Sequence, residues 1–168
     1  MPTKQTTEKA RRAKNGGKAP TTQAGEFVHD EIDRIRHGEH GARSAKQAIA
    51  VGLSKARRAG VGVPAPKKGK TSEKTRKAAE RDLERGHGKP PKHKSSAKRG
   101  RASLRALKRE PTSTVSRDDL SKQAKSAARK RTATERSAAA EKAVRTKGTA
   151  GRSAAARKAA RTRTAHKK

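Results

Sequence analysis

The side chains in this sequence that could do chemistry are mostly cations. Lys and Arg number 47 against 15 Asp and Glu, a formal net charge of +32 on 168 residues. Ammonium and guanidinium groups at that density neutralise phosphates and release condensed counterions, a chemistry that reads backbone rather than base sequence. The candidate contacts are Arg43, Lys46, Lys55, Arg57 and Arg58 in the central stretch, followed by Lys67 and Lys68. Farther on stand Lys98, Arg99 and Arg101, then Arg129, Lys130 and Arg131, and finally Arg157, Lys158, Arg161 and Arg163. A charge run is ordinarily a solvated face. Here 34 positive residues between 67 and 168 exceed any need for solubility, which points to a polyanionic partner.

Other chemistries find little support. His29, His37 and His40 lie close to Asp30 and Asp33; the spacing puts His29 and Asp33 on one helix face, but His40 lies beyond Gly38. Surface histidines are the ordinary reading, and no metal site is expected. Ser, His and Asp occur without a scaffold to orient them as a triad. Gly60-Val-Gly-Val-Pro64 lacks the Lys-Ser/Thr and the strand-helix setting of a phosphate loop. No Cys is present, so thiolate chemistry and disulfides are excluded. The sequence predicts no catalytic residue and no cofactor.

The elements that must position these cations are limited by composition. Leu, Ile, Val and Phe number 15 in all, and Phe27 is the one aromatic residue. So few large apolar groups at such charge predict a mostly disordered chain with α segments, too poor in core for a conventional enzyme fold. The lack of aromatics also argues against base stacking, making duplex DNA or structured RNA a better partner than a single strand. The longest apolar run, Ala48–Val51, is too short to span a bilayer. The N-terminal residues carry no apolar signal region, and the expected location is the cytoplasm, on the nucleoid.

The charge is unevenly placed. Residues 1–20 carry net +5, residues 21–66 net +2 and residues 67–168 net +25. The near-neutral stretch also holds nine of the 15 large apolar residues. A small αα-hairpin is therefore predicted over 21–62, flanked by basic, helix-prone tails. Residues 1–20 read as a disordered basic arm, 63–100 as a charged helix with linkers, and 101–168 as an Ala/Lys/Arg repeat tail.

In the first hairpin helix, 22–37, Phe27, Val28, Ile32 and Ile35 share one face, and Gly38 is a natural stop. The second opens with Ser44 and Gln47 in capping-box spacing. Its inner face, with Ile49 and Leu53 among Ala45, Ala48, Gly52 and Ala56, is small enough for another backbone to come close. A DNA-reading helix-turn-helix would need a shorter turn and a third helix. Four or five apolar residues per helix bury little, so self-association through the hairpin, a homodimer, is the expected source of stability.

Beyond it, Ser72–Arg85 reads as a charged helix, 86–94 as a linker, and Arg101–Glu110 as a helix ended by Pro111. Ser116 with Asp119 opens a further helix to about Arg131, and Thr134 a last piece that Gly148 stops. Residues 137–152 recur as 153–168 with eight of 16 positions identical. Lacking an apolar stripe, these pieces are expected to coil into helix only on a polyanion.

The segments Gly25-Glu-Phe-Val28, His40-Gly-Ala-Arg-Ser44, Lys46-Gln-Ala-Ile-Ala50 and Gly52–Gly60 resemble a family of small, very basic, uncharacterised bacterial proteins often labelled DNA-binding or plasmid-stabilisation. Arg105–Glu110 and Ser126–Arg129 are similar to that group's C-terminal half, and the tail resembles histone-H1-like Ala/Lys/Arg repeats. The resemblance implies a bacterial source and nucleic-acid association, and no established site. The expectation is a non-enzymatic DNA-binding protein of nucleoid-associated or histone-H1-like kind. The alternatives are an RNA- or ribosome-associated protein, and an adaptor whose hairpin recruits a protein partner to DNA.

Overall fold

A computed structural model describes residues 3–89 and 96–165. The expectation of a mostly disordered chain is overturned. The described residues form an ordered all-α structure: α1 (Lys4–Asn15), α2 (Pro20–Arg36), α3 (Ala45–Arg58), α4 (Glu73–Gly86), α5 (Ala97–Lys108), a 3-10 turn (Ser113–Val115), α6 (Arg117–Arg129) and α7 (Ala133–Ala165). No described helix is long and apolar enough to cross a membrane. The chain divides into two compact units, Met1–Gln123 and Ala124–Lys168.

The hairpin of the first unit forms as expected. Pro20 enters α2 in its first turn, where its missing N–H costs no hydrogen bond. Gly38 leaves α2 at φ 77°, a conformation that glycine adopts without steric cost. The Ser44 hydroxyl accepts from the Gln47 N–H at 3.2 Å. The return bond of the box is displaced by one residue, since Gln47 Oε1 accepts from the Arg43 N–H. Against the small face of α3, α2 comes close. A Cβ placed on Gly52 would stand 2.7 Å from Val28 Cα and 3.0 Å from the Phe27 carbonyl oxygen.

The hairpin does not stand alone. Residues 1–20 are not a disordered arm: Thr3 caps α1, accepting from the Thr6 N–H, and α1 packs on α2. Ala10 joins Ala24, Phe27, Ala56, Val61 and Val63 in one core cluster, with Leu53 against it. A second cluster gathers Ile35, Ala42, Ala48 and Val115, with Ile32 against it. Val115 is fully buried although it lies about 70 residues beyond its neighbours. Part of the hairpin's apolar surface is thus covered within the chain, by Ala10 on one side and Val115 on the other.

The backbone around Val115 is pinned in place. The Gly41 N–H donates to the Leu107 carbonyl at 2.9 Å and the Ala42 N–H to the Pro111 carbonyl at 3.1 Å. Thr114 Oγ1 donates to the Ala42 carbonyl at 2.7 Å, and the Arg36 guanidinium donates to the Val115 carbonyl at 3.1 and 3.3 Å. Gly41 is so close to the Glu110 carbonyl that no Cβ could be placed there. Of the expected core, Phe27 and Ile35 are fully buried, while Val28, Ile32, Ile49 and Leu53 are half-buried.

The later helices form where breakers and caps place them, with two boundary corrections. α4 starts behind Ser72, whose hydroxyl accepts from the Thr75 N–H. α5 begins at Ala97, four residues before the expected start. Ser116 caps α6, accepting from the Asp119 N–H at 3.1 Å. From residue 90 onward the expected 86–94 linker lies outside the described residues.

In the second unit the cap is Thr132 rather than Thr134. Its hydroxyl accepts from the Glu135 N–H while Glu135 Oε2 accepts from the Thr132 N–H, a complete capping box. α7 then runs to Ala165 and breaks at Gly148 (φ 63°, ψ −179°), a conformation essentially restricted to glycine. Its described side chains are exposed. The tail therefore draws its helicity from the strong intrinsic preference of Ala, Lys and Arg plus a complete cap, which outweighs the like-charge repulsion expected to unfold it.

Candidate nucleic-acid interface

α5 carries the most organised array of cations. At about 100° per residue, Lys98, Arg101, Arg105 and Lys108 fall within an arc of about 80°, forming a stripe about 15 Å long. All four are exposed, and none pairs with an acid among the described residues. Leu104, 48% exposed, and Leu107 flank the stripe, while Arg99 lies toward the opposite side. A duplex presents roughly nine phosphate charges over the same length. The stripe has a fixed mount. α5 packs against no other described helix, yet the Leu107 carbonyl in its last turn and the Pro111 carbonyl just after it accept from the α2–α3 loop. Arg43, 81% exposed on that loop, reaches Glu110 at 3.5 Å.

The other expected contacts separate into exposed and committed groups. Lys46, Arg58, Lys67 and Lys68 are exposed, though Arg58 also donates to the Ser54 carbonyl and lies 3.6 Å from Asp82. Arg129 ends α6, and Lys130 and Arg131 follow it, all exposed. On α7, Arg157, Lys158 and Arg161 share an arc of about 100°, with Arg163 on the far side.

Two expected contacts face inward instead. Arg57 is 7% exposed, and its guanidinium donates to the Val63 and Pro64 carbonyls at 3.1 Å each. Burial pushes it below its ordinary pKa, with Asp82 acting in the opposite direction. It fastens the 61–64 segment onto the core. Lys55 is drawn to the buried carboxylate of Glu31. The other Glu31 oxygen lies 3.5 Å from His40 Nε2, and His40 Nδ1 lies 3.1 Å from the Gly41 carbonyl oxygen. Both Lys55 and Arg57 serve the fold because each meets oxygens where α3 is already covered.

The histidines do not converge. His29 pairs with Asp33 at 2.9 Å, His37 bonds the Asp33 carbonyl, and His40 sits inside beside Glu31. No group of three His, Cys, Asp or Glu side chains among the described residues could hold a metal ion. Phe27, the one residue among Phe, Tyr and Trp in the sequence, is 1% exposed and offers no ring face for a base to stack on.

Arg105 and Lys108 escape the sequence reading because it starts this helix at Arg101, leaving Lys98 off the helix and its spacing to 101, 105 and 108 unnoticed. Glu31 also escapes, as a lone acid beside apolar positions. His40 and Lys55, 9 and 24 residues away, are its only signal.

No curated protein and no solved structure matches the chain. The resemblance noted in the sequence extends to Ser126–Arg129, whereas the family match is confined to the hairpin and the segment that Arg57 fastens to it: residues 23–68 match a family of unknown function, DUF6496.

Proposed function

We propose that the chain is a non-enzymatic nucleic-acid-binding protein that neutralises phosphate backbone, with duplex DNA as the principal partner, in the manner of a nucleoid-associated or histone-H1-like protein. The observation that carries this reading is the α5 stripe, which is single-faced, free of acidic partners and tied to the folded core. The buried position of the one aromatic residue supports backbone contact over base stacking. The exposed cations of α7 add a second helical surface of the same chemistry. The DNA-binding label attached to the group that the sequence resembles agrees with this reading, which would place the protein on the bacterial nucleoid.

The test is equilibrium binding of the full chain to a duplex DNA and to a structured RNA across a salt series. Backbone binding to DNA predicts a linear fall of log affinity with log salt, with a slope near 0.9 per phosphate covered and little dependence on base sequence. Affinity that holds steady from 50 to 200 mM salt refutes the reading. Consistently tighter binding to the RNA replaces DNA by RNA as the partner.

A further inference from the structure

Between α3 and α4 lies an open-mouthed cavity of about 600 Å³, a volume typical of small-ligand sites. The two helices run side by side in one direction. Near their C-terminal ends they close tightly: Ser54 donates to Asp82, and Gly86 lies directly against the Arg57 carbonyl. Toward their first turns they leave a trough. Its walls are apolar, with Ile49, Ala50 and Leu53 from α3, Ala78 and Ala79 from α4, and Pro66 from the connecting loop. At the open end Lys46 and Lys74 both line the trough. Both are exposed, and neither is in an ion pair among the described residues. The acid in the lining, Asp82, is engaged by Ser54 and lies 3.6 Å from Arg58.

An apolar trough with free cations at one end selects an occupant that is apolar along its length and anionic at one tip. We propose that the α3–α4 trough binds a free single-chain carboxylate, with its methylenes along Ile49, Leu53 and Ala78 and its head between Lys46 and Lys74. The distance along α3 from Lys46 to Ser54, where the helices close, is about 12 Å, which suits an extended acyl chain of about ten carbons. Charge decides against a second copy of this chain, since a +32 protein meeting a cationic rim is repelled. The site is separate from the α5 stripe, so it does not rest on the nucleic-acid reading.

The experiment is isothermal titration of the full chain with decanoate, decanol and acetate, each below any micelle concentration. Expected are one decanoate per chain, no binding of acetate, and affinity falling roughly 3- to 4-fold for each methylene removed from the acid. Ala50→Phe and, from the opposite wall, Ala78→Phe fill the trough and weaken decanoate at least 10-fold. Lys46→Gln with Lys74→Gln weakens decanoate several-fold and leaves decanol unchanged. Many acids bound per chain, with either Phe variant binding like wild type, would assign the effect to the basic helices and overturn the proposal. So would no binding at all, or a concentration-dependent dimer that Ala50→Phe abolishes, which would put a second copy in the trough.

Discussion

Replacing Val115 by Ala tests whether the segment after α5 belongs to the folded core. Val115 is fully buried against Ile35, Ala42 and Ala48, with Ile32 adjoining. Removing two methyl groups forfeits about 1.6 kcal/mol of transfer free energy at about 0.8 kcal/mol per carbon. The void left behind adds about 1 kcal/mol if the site collapses only partly. The expected loss is therefore about 2–3 kcal/mol, a large share of the stability of a small domain. The assay is urea unfolding of the full chain followed through the methyl resonances of Ile35, which report the core rather than the exposed helices. Val144→Ala, at a position 41% exposed, serves as the control and should shift stability by less than about 0.5 kcal/mol. A midpoint for Val115→Ala indistinguishable from that control would refute the docking of 111–116 and leave the hairpin to stand without it.

Two further substitutions separate competing effects. Gly52→Ala gains up to about 1 kcal/mol of helix propensity, but its Cβ meets the α2 backbone at 2.7 Å, where overpacking costs about 1–3 kcal/mol. Net destabilisation of about 1 kcal/mol in thermal melts is expected, and a raised midpoint would show that α2 and α3 are not in close contact. Glu31→Ala leaves the Lys55 ammonium, with a side chain 14% exposed, without its carboxylate and should cost about 3–5 kcal/mol. Combining Glu31→Leu with Lys55→Met should recover most of that loss in the same denaturation assay, and failure to recover would show that the pair is needed for more than mutual neutralisation.

What could be read in the sequence follows from the reach of its signals. Helix faces built from Phe27, Ile35, Ala48 and Gly52, together with stops such as Gly38, Pro111 and Gly148, act within a few residues, and those elements stand where expected. Val115 is a single apolar residue between breakers, and no periodicity marks it; only a contact with Ala42 and Ala48, far away in the chain, gives it meaning. α1 buries Thr6 and Ala10, residues too small or too polar to register as a core face. Composition shows how few large apolar residues there are, but not that small residues and backbone hydrogen bonds could close an ordered core around them. In the interface, the basic character of 97–109 was plain from residue types alone. Its single-faced stripe appears only once the helix start is placed at Ala97, while Arg57 and Lys55 were withdrawn from the surface by oxygens that their positions in sequence do not reveal.

The central claim, that the α5 stripe contacts phosphate backbone, is tested most directly by neutralising it. Lys98, Arg101, Arg105 and Lys108 are replaced by Gln together, and duplex-DNA affinity is measured across a salt series beside wild type. All four side chains are exposed and outside both core clusters, so the fold is expected to remain. Four lost phosphate contacts should lower the magnitude of the log affinity–log salt slope by about 3.6, with affinity falling on all duplex sequences alike. A slope equal to that of wild type would contradict the account.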